Sequence, residues 1–420
     1  IIKGIINKMQ SLLELYKIGN GPSSSHTMGP KRATEKFKNQ YPEADKFKII
    51  LYGSLALTGK GHLTDYIIKE TLSNYEVEII FDTETPCNIH PNTFDIFAYK
   101  NNNLLDRWRI YSVGGGTFKI EGEEASDFKE VYPHKNFNEI KEYVKDNNID
   151  LFDYVCLYEG KEKITEYLYS VWNAMQNAIE KGLASSGTIP GRLKLTKKAK
   201  QIYDNKLEIE TENIKKTRLI SSYSYATTEE NASGGVIVTA PTCGACGVLP
   251  AVLYYMKNEY RISDERIIKA LAIAGIIGNV VKTNASISGA ECGCQAEIGT
   301  ACSMAAGACA YLLKLDIDRI ENSAEVAMEH HLGLTCDPIY GYVQIPCIER
   351  NAVAAMRALD AASLSMILDK HKRISFDLIV ETMYETGKDL GQHYRETSEG
   401  GLAKKYCRNK YYNKEMREID

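Results

Sequence analysis

The sequence lacks any run of apolar residues long enough to cross a membrane. Its uncharged, helix-like stretches run from Ala270 to Val281 and from Gly299 to Leu313. A membrane-spanning helix needs roughly 18 to 20 apolar residues, so we expect both stretches to form core helices. Lys3 and Lys8 interrupt the apolar residues at the start of the chain, and no small-residue cleavage site follows. We therefore expect a cytoplasmic protein without a membrane partner.

An excess of positive charge is also absent. The formal net charge is -4 and the isoelectric point is about 6.2, so the chain offers no basic field to nucleic acid. The composition, with 44% hydrophobic and 25% charged residues, is that of an ordinary globular protein and not of a disordered or fibrous one. These limits leave a small molecule as the expected partner.

Internal repeats and the fingerprints of common nucleotide sites are missing as well. No glycine pattern has the spacing of a dinucleotide fingerprint or a P-loop. Eleven cysteines are present, but in a long chain without a secretion signal they argue against a disulfide framework. We expect free thiols in a reducing compartment.

The pattern of apolar residues predicts two parts of different character. A chain of 420 residues exceeds the size at which one hydrophobic core normally stops growing, so two domains are expected. The first third alternates period-two runs with helical ones, which predicts strands at 47–57 and 75–83 and helices at 28–37 and 64–73. The polar stretch after Lys145 indicates a linker at about 146–163.

Beyond that linker the apolar periodicity is almost wholly that of a helix. It predicts helices near 164–183, 264–281, 300–314, 323–331, 350–369 and 375–390. The segment 193–218 carries charges of both signs and is interpreted as a solvent-exposed segment. The sequence therefore predicts an α+β fold class, with an α/β domain over residues 1–150 and a mostly α-helical domain over residues 160–407.

Three cysteines in Gly/Pro-rich loops predict a metal site: Cys294, Cys336 and Cys347. Thiolates select zinc, copper(I) or iron–sulfur centres, and three anchoring sulfurs leave one position for a substrate oxygen. The alternative is three unrelated loop cysteines. Cys243 and Cys246 have the spacing of a redox pair or half a zinc site, but no partner follows at zinc-ribbon distance. Nearby polar residues are candidates to support the metal or clamp a substrate: Asp337, Glu349, Arg350 and Asn351.

Two loops near the start of the chain carry further candidate site residues. Residues 19–30, GNGPSSSHTMGP, precede a predicted helix, where hydroxyl and amide groups bind a carboxylate; a helix cap explains the same residues equally well. Residues 52–65, YGSLALTGKGHLTD, expose Lys60 and His62 at the tip of a glycine turn, so His62 is either a base or simply solvated. The glycines at 114–116 allow close approach of a ligand or form a plain tight turn.

These segments belong to a longer series of motifs that occur in the order of one family. The series is GPSSSHT, YGSLALTGKGH, GGGTF, ENASGG followed by VTAPT, NASISGAE, GCQAE, ACSMAA, GLTCDP, PCIERNA and YRETSEGGLA. The chain resembles the bacterial-type iron–sulfur L-serine dehydratases, also called L-serine deaminases, from about Leu12 to Cys407. We expect a lyase that converts L-serine to pyruvate and ammonia.

The resemblance also implies a cofactor and a set of site residues. Cys294, Cys336 and Cys347 match the ligands of a 4Fe-4S cluster whose fourth iron is left for the substrate. His62 matches the base that removes the α-proton, with Lys60 beside it. The loop that contacts the substrate matches Ser23, Ser24, Ser25, His26 and Thr27. An N-terminal domain similar to allosteric substrate-binding domains and a homodimer are implied in the same way.

Departures from the family pattern lie close to this expected site. In relatives a cysteine near the end of the chain caps the open iron, and its equivalent here is Cys407. A C-terminal extension, residues 408–420, follows it. IYGY, residues 339–342, replaces a small, Gly-rich stretch between two of the cluster ligands, and Leu63 follows His62 where Gly or a polar residue is common. We expect these changes to affect substrate fit and rate.

Catalysis by His62 requires a neutral imidazole, and we expect the positive charge of Lys60 to lower the pKa of His62. A non-catalytic serine or redox sensor that retains the fold and cluster is the alternative function, and a structural zinc protein is a third. Pyridoxal phosphate chemistry requires a Schiff-base lysine beside a phosphate-binding glycine loop, and the sequence has no convincing set of this kind.

Overall fold

The structure, a computed structural model, describes residues 9–123, 130–368, 373–398 and 400–408. Its strands are β1 (Met9–Gln10), β2 (Ile18–Asn20), β3 (Lys46–Tyr52), β4 (Glu76–Asp82), β5 (Thr93–Lys100), β6 (Asn103–Gly114), β7 (Thr117–Ile120), β8 (Glu130–Tyr132) and β9 (Val236–Val238). The predicted extension, 408–420, lies outside the described residues except for Arg408.

Helices make up most of the described chain. They are α1 (Gly29–Gln40), α2 (Gly53–Thr58), α3 (Thr64–Thr71), α4 (Phe137–Asp146), α5 (Leu151–Glu159), α6 (Lys161–Ala184), α7 (Ala199–Asp204), α8 (Glu212–Ala232), α9 (Val248–Tyr260), α10 (Asp264–Asn284), α11 (Gly289–Cys292), α12 (Thr300–Leu312), α13 (Ile317–Glu329), α14 (Cys347–Ile367), α15 (Phe376–Asp389) and α16 (Gly401–Arg408). With the sheet described next, they confirm the α+β fold class.

A five-stranded mixed sheet organises the N-terminal part, in the order β4-β3-β5-β6-β7. β3 and β4 pair in parallel, and the other neighbouring strands pair antiparallel. Alternate residues of β3 are buried, namely Phe47, Ile49 and Leu51, as expected for a strand with one face covered. Phe37 of α1 and Ile67 of α3 pack on that face within one hydrophobic core.

A larger hydrophobic core organises the helical part. Residues Ala270–Val281 of α10 and Thr300–Ala310 of α12 are buried without exception, which confirms the two predicted core helices. By length and composition, α10 is the one helix among the described residues that would suit a membrane span. However, 78% of its most apolar window is buried in this core.

Periodicity did not reveal α8, because its buried face mixes polar with apolar residues. Ser222, Ser224, Thr227 and Glu229 are all buried in this helix. The Glu229 carboxylate accepts hydrogen bonds from the backbone N–H groups of residues 198 and 199 at the start of α7. An apolar stripe is the usual signal for a buried helix face, and α8 does not present one.

The beginning of the chain is part of both structural units. Leu12, Leu15 and Tyr16 belong to the larger core, and the Tyr16 hydroxyl donates to the Leu271 carbonyl at 2.8 Å. β2 then pairs antiparallel with β9 of the helical part. The N-terminal segment therefore fixes the sheet to the helices on the side where the serine-rich loop follows.

The segment predicted as a linker, 146–163, contains α5. Its residues Leu151, Phe152, Tyr154 and Val155 are buried in the larger core. An Asp150 capping box begins this helix. A domain boundary near residue 150 stays a prediction, while the cores show that residues 132–155 pack with the helical part.

Candidate active site

A cavity of about 250 Å³ lies where the loops of the sheet meet the helical part. The serine-rich turn before α1, the turn before α3 and the β6–β7 hairpin form one side, and the segment after α10 and the cysteine loops form the other. The lining residues include Ser23, Ser24, Ser25, His62, Gly114, Gly115, Lys282, Glu291, Cys294, Glu297, Cys336, Cys347 and Glu396.

His62 lies in the turn that connects α2 to α3, and its position corrects the expectation of an exposed loop tip. The side chain is only 2% exposed. Thr27 Oγ1 donates to the His62 carbonyl, and Thr64 Oγ1 donates to the His26 carbonyl, each at 2.7 Å. These reciprocal bonds hold the histidine turn against the serine-rich turn.

The hydrogen bonding of His62 determines which ring nitrogen is available as a base. Its Nδ1 lies 3.2 Å from the Thr58 carbonyl oxygen. A carbonyl only accepts, so Nδ1 carries the proton and Nε2 keeps a free lone pair. Burial lowers the pKa of His62 to about 4, against the opposing effect of the Thr58 bond. The imidazole is therefore neutral at physiological pH.

Lys60 lies outside the lining of the cavity. Its side chain is exposed, and its Nζ is 5.3 Å from the centre of the Phe81 ring. The expectation that Lys60 lowers the pKa of His62 is therefore corrected, because burial is the cause. A catalytic role for Lys60 stays a prediction from the family resemblance.

The ring of His26 packs against the ring of His62. The two ring centres are 4.4 Å apart, and His26 is fully buried. Its Nδ1 lies 2.9 Å from Ser25 Oγ, and its Nε2 lies 3.0 Å from Ser54 Oγ. Burial lowers the pKa of His26 well below its usual value. His26 and Thr27 thus contact the histidine turn, while the three serines line the cavity.

The serine-rich turn is both a capped turn and a wall of the cavity. Ser23 Oγ accepts from the His26 N–H at 3.1 Å, as a helix cap does. Asn231, at the end of α8, donates from Nδ2 to the Pro22 carbonyl at 3.1 Å and anchors the turn to the helical part. The two interpretations of this loop are therefore compatible.

The three predicted cysteines line the same cavity. Cys294 Sγ, Cys336 Sγ and a carboxylate oxygen of Glu297 all lie within 4.8 Å of one another. The Cys347 thiol interacts electrostatically with Cys294. Cys294 caps the helical turn before α12 and Cys347 begins α14, and the partial positive charge of a helix start favours thiolate.

Gln295 ties the Cys294 turn to the Cys336 loop. Its Nε2 donates to the Cys292 carbonyl at 2.9 Å, and its Oε1 accepts from the Gly333 N–H at 2.9 Å. Its backbone N–H donates to the Leu334 carbonyl at 3.2 Å. The side chain is fully buried, so this amide sets the separation of two thiols that lie far apart in the sequence.

The segment before α16 completes the cavity. The Cys336 N–H donates to the Tyr394 carbonyl at 2.7 Å, and the Thr397 N–H donates to the Cys336 carbonyl at 3.2 Å. Glu396, between these two contacts, is thereby brought into the lining. Asp337 accepts from the Leu402 N–H at 2.6 Å at the start of α16.

The cavity wall disfavours negative charge. A hydrogen bond to Cys294 raises the pKa of Cys336, and burial raises that of Cys347, both well above the usual value. Burial raises the pKa of Glu297, and burial with the charge of Glu297 raises that of Glu396 to about 8. Thiolates in such surroundings require the positive charge of a metal. The donor set therefore fits a thiolate-ligated metal centre.

The polar residues beside Cys336 and Cys347 do not line the cavity, but Arg350 forms a hydrogen bond with Cys294 and lies close to Cys347. A role of these residues in supporting a metal stays a prediction. Asn351 accepts from the Gly247 N–H at 2.9 Å and donates to the Gly244 carbonyl at 2.7 Å. Arg350 donates to the Thr335 carbonyl at 2.5 Å, and its guanidinium lies 3.5 Å from Asp337.

Cys407 lies on α16 beside Tyr340 of the altered loop. The thiol is half-buried, its interaction with Tyr340 includes a hydrogen bond, and it is not among the residues that line the cavity. Tyr406 also contacts the Tyr340 ring, with ring centres 6.2 Å apart. Capping of a metal by Cys407 would require α16 to leave Tyr340, and it stays a prediction.

Cys243 and Cys246 are fully buried in a small apolar cluster with Met28, Ala178 and Ile237. Burial raises the pKa of both thiols. Thiols held protonated in this way are poor nucleophiles, so the pair is suited to packing and not to redox exchange.

Sequence reasoning missed four charged residues of the cavity: Lys282, Glu291, Glu297 and Glu396. Glu297 carried a usable signal, because it follows Cys294 by three residues in a helical turn and therefore shares its face. Glu396 had none, since it reaches the cavity only through backbone bonds to Cys336. The glycines at 114–116 form a hairpin turn as expected, and two of them also line the cavity.

Known proteins resemble the chain over nearly its whole length. The family model for the serine dehydratase alpha chain matches residues 43–403. An L-serine dehydratase of Haemophilus influenzae is 39% identical, over 96% of this chain and 100% of the relative. L-serine dehydratase 2 of Escherichia coli is 37% identical, over 94% and 99%. An L-serine dehydratase of Helicobacter pylori is 38% identical, over 94% and 98%. The chain belongs to the serine dehydratase alpha chain family.

Proposed function

We propose that the protein converts L-serine to pyruvate and ammonia, with a 4Fe-4S cluster held by Cys294, Cys336 and Cys347. The observation that carries the proposal is that Cys294, Cys336, Cys347 and His62 line one cavity. The relatives named as L-serine dehydratases are similar to this chain over nearly its whole length, at 37% to 39% identity.

The cysteines would hold the cluster at the helical wall of the cavity. When bound, a cluster with one iron free of cysteine supplies a Lewis acid for expelling the hydroxyl group of serine. The thiols and the histidine turn line the same cavity, so the substrate would bind in contact with both.

His62 supplies the base for the α-proton. Its Nδ1–H bond to the Thr58 carbonyl fixes the ring and leaves Nε2 as the nitrogen that would accept the proton. A pKa of about 4 keeps the imidazole neutral before the substrate binds. The negative charges of a substrate carboxylate and of bound thiolates raise that pKa again and strengthen the base. Loss of the α-proton and the hydroxyl leaves 2-aminoacrylate, which tautomerises to an imine and hydrolyses to pyruvate and ammonia.

Anaerobic reconstitution with iron and sulfide, followed by a pyruvate assay with L-serine, tests the proposal. We expect turnover in the natural chain and its loss in Cys336→Ala, because that variant removes one thiol of the wall. Cys302→Ala is the matched control, since Cys302 is equally buried but lies in the core of α12. Serine binding without pyruvate would instead favour the sensor, a function that the names of the relatives do not support.

We also propose, on the family resemblance, that the enzyme is a cytoplasmic homodimer. Light scattering on the purified enzyme at micromolar concentration would show a mass of twice 47.1 kDa. A mass equal to one chain would overturn the dimer.

A further inference from the structure

One lysine lines the cavity. Among the described residues that line it, Lys282 is the only lysine or arginine, whereas Glu291, Glu297 and Glu396 are acidic. Lys282 lies in the last turn of α10, on the helical side of the cavity.

The charge of Lys282 has no ion-pair partner within the described part of the chain. Its Nζ donates to the Glu14 carbonyl at 2.9 Å, and an ammonium group has three donors. The Glu14 carboxylate is engaged elsewhere, because Lys17 Nζ lies 3.0 Å from it. Lys17 itself also donates to Thr117 Oγ1 at 2.8 Å. Two donors of Lys282 are therefore available to a molecule in the cavity.

The nearest carboxylate, that of Glu14, interacts with Lys282 but is also paired with Lys17. An enclosed cation that shares its counter-charge in this way costs free energy, which an anionic ligand would offset. Burial and the charge of Lys17 lower the pKa of Lys282 to about 8, against the opposing effect of Glu14. This shift agrees with a site that is short of negative charge around the amine, and a bound carboxylate would reverse it. Ser24 lines the same cavity, and its hydroxyl forms no hydrogen bond with any described residue.

We propose that Lys282 binds the α-carboxylate of the substrate by a charge-assisted hydrogen bond, with the Ser24 hydroxyl as a second donor. The inference rests on the proposed function and names the recognition element of that site. Binding of the carboxylate at Lys282 leaves the acidic residues for the α-ammonium group. The cavity would thereby select α-amino acids over amino amides and amino alcohols of the same shape.

Charge-neutral variants of the reconstituted enzyme test the proposal. Lys282→Met and Lys282→Gln should each raise the KM for L-serine about 10- to 100-fold, as expected for losing a hydrogen bond between charged groups. Iron content and the visible spectrum should be unchanged. Lys282→Arg keeps the charge and should restore most of the affinity. Lys215→Met removes an exposed lysine on α8 that lies outside the lining, and it should leave the KM unchanged.

Competition with L-serinamide separates recognition from a structural defect, because serinamide has no carboxylate. The preference of the natural enzyme for L-serine over L-serinamide should fall about 10- to 100-fold in Lys282→Met. An unchanged preference, or equal weakening of both ligands, would overturn the role of Lys282. Absence of pyruvate formation by the natural enzyme would instead overturn the proposed function.

Discussion

At the scale of single residues, His62 shows how burial and one hydrogen bond determine the charge and the tautomer of a histidine that we propose as the base. The Thr58 carbonyl fixes the proton on Nδ1, and burial keeps the ring neutral. Lys60 is the charged residue nearest to His62 in the sequence, but it does not line the cavity. The pattern TGKGH pointed to a histidine that lines the cavity, but the physical cause of its low pKa was visible only in the structure.

Replacing His62 should abolish turnover and leave the metal centre intact. We expect His62→Ala to lower kcat about 10²- to 10⁴-fold, the usual contribution of a general base. Iron content and visible absorption should match the natural enzyme, because His62 lies across the cavity from the thiols. His330→Ala is the control, since His330 is exposed on the helical side. Near-normal turnover of His62→Ala would remove this residue from the mechanism.

The low pKa of His62 also makes folding stability depend on pH. Below about pH 6.5 the unfolded chain binds a proton at this histidine, whereas the folded chain does not until about pH 4. The free energy of unfolding should therefore fall as the pH falls, by about 2 kcal/mol between pH 7 and pH 5 from this group alone. Urea unfolding followed by circular dichroism should show a smaller fall in His62→Asn. An equal fall in both proteins would contradict a buried neutral ring.

Gln295 has a role that can be measured apart from catalysis. Its side chain is fully buried and bonds to backbone atoms on both sides of the cysteine turn. Gln295→Ala leaves the Gly333 N–H and the Cys292 carbonyl without these partners, at a cost of about 1–3 kcal/mol for each buried group. We expect faster iron loss to a chelator than in the natural enzyme. Equal rates of iron loss would show that the amide does not hold the two loops together.

At the scale of elements, the altered loop between Cys336 and Cys347 contributes packing beside the histidine turn. The Tyr342 hydroxyl accepts from the Arg192 N–H at 3.2 Å. Its ring faces Gly191, where an added Cβ would lie 2.9 Å from the ring, and it also approaches Gly61. This loop departs from the family pattern, yet it fills a defined space next to His62.

Removal of the Tyr342 ring should therefore disturb the base. We expect Tyr342→Ala to lower kcat about 10- to 100-fold through displacement of the histidine turn. Tyr342→Phe keeps the ring and should retain most of the activity. Steady-state kinetics on both variants, with iron content measured in parallel, tests this prediction. Similar activity of the alanine and phenylalanine variants would show that the ring does not position His62.

Long helices with an apolar pattern were predictable from the sequence. α6, α10, α12 and α14 were predicted within a few residues, because each presents an apolar pattern to the larger core. The shorter α4 was not predicted, although it buries Phe137, Ile140 and Val144. α8 was missed because its buried face mixes polar with apolar residues. The three thiols were found from loop composition and the family resemblance, whereas Lys282 and Glu396 reach the cavity through tertiary contacts that leave no local pattern.

At the scale of the whole molecule, the site lies between two structural units that do not separate cleanly in sequence. The sheet and its helices have their own core, but residues 9–16 and 132–155 pack with the helical core. Glu159 illustrates the connection, because it accepts hydrogen bonds from Ser11, from the Leu12 N–H and from Tyr132. The geometry of the cavity therefore depends on contacts between the beginning of the chain and its middle.

A fragment that begins at residue 160 should fail to form the helical core by itself. It lacks Leu12, Leu15 and Tyr16, which are buried in that core, so its apolar surface would stay exposed. We expect no cooperative thermal transition and strong binding of a hydrophobic dye. Co-expression with residues 1–159 as a separate chain should restore the transition. Cooperative unfolding of the isolated fragment would show that the helical part is independent.

The central claim is that three thiols on one cavity wall hold an iron–sulfur cluster. Iron and acid-labile sulfide, measured per chain after anaerobic purification, test it most directly. We predict about four of each in the natural enzyme, with a marked loss in the serine variants of Cys294, Cys336 and Cys347 and none in Cys302→Ser. Zinc in place of iron, with no acid-labile sulfide, would contradict the claim.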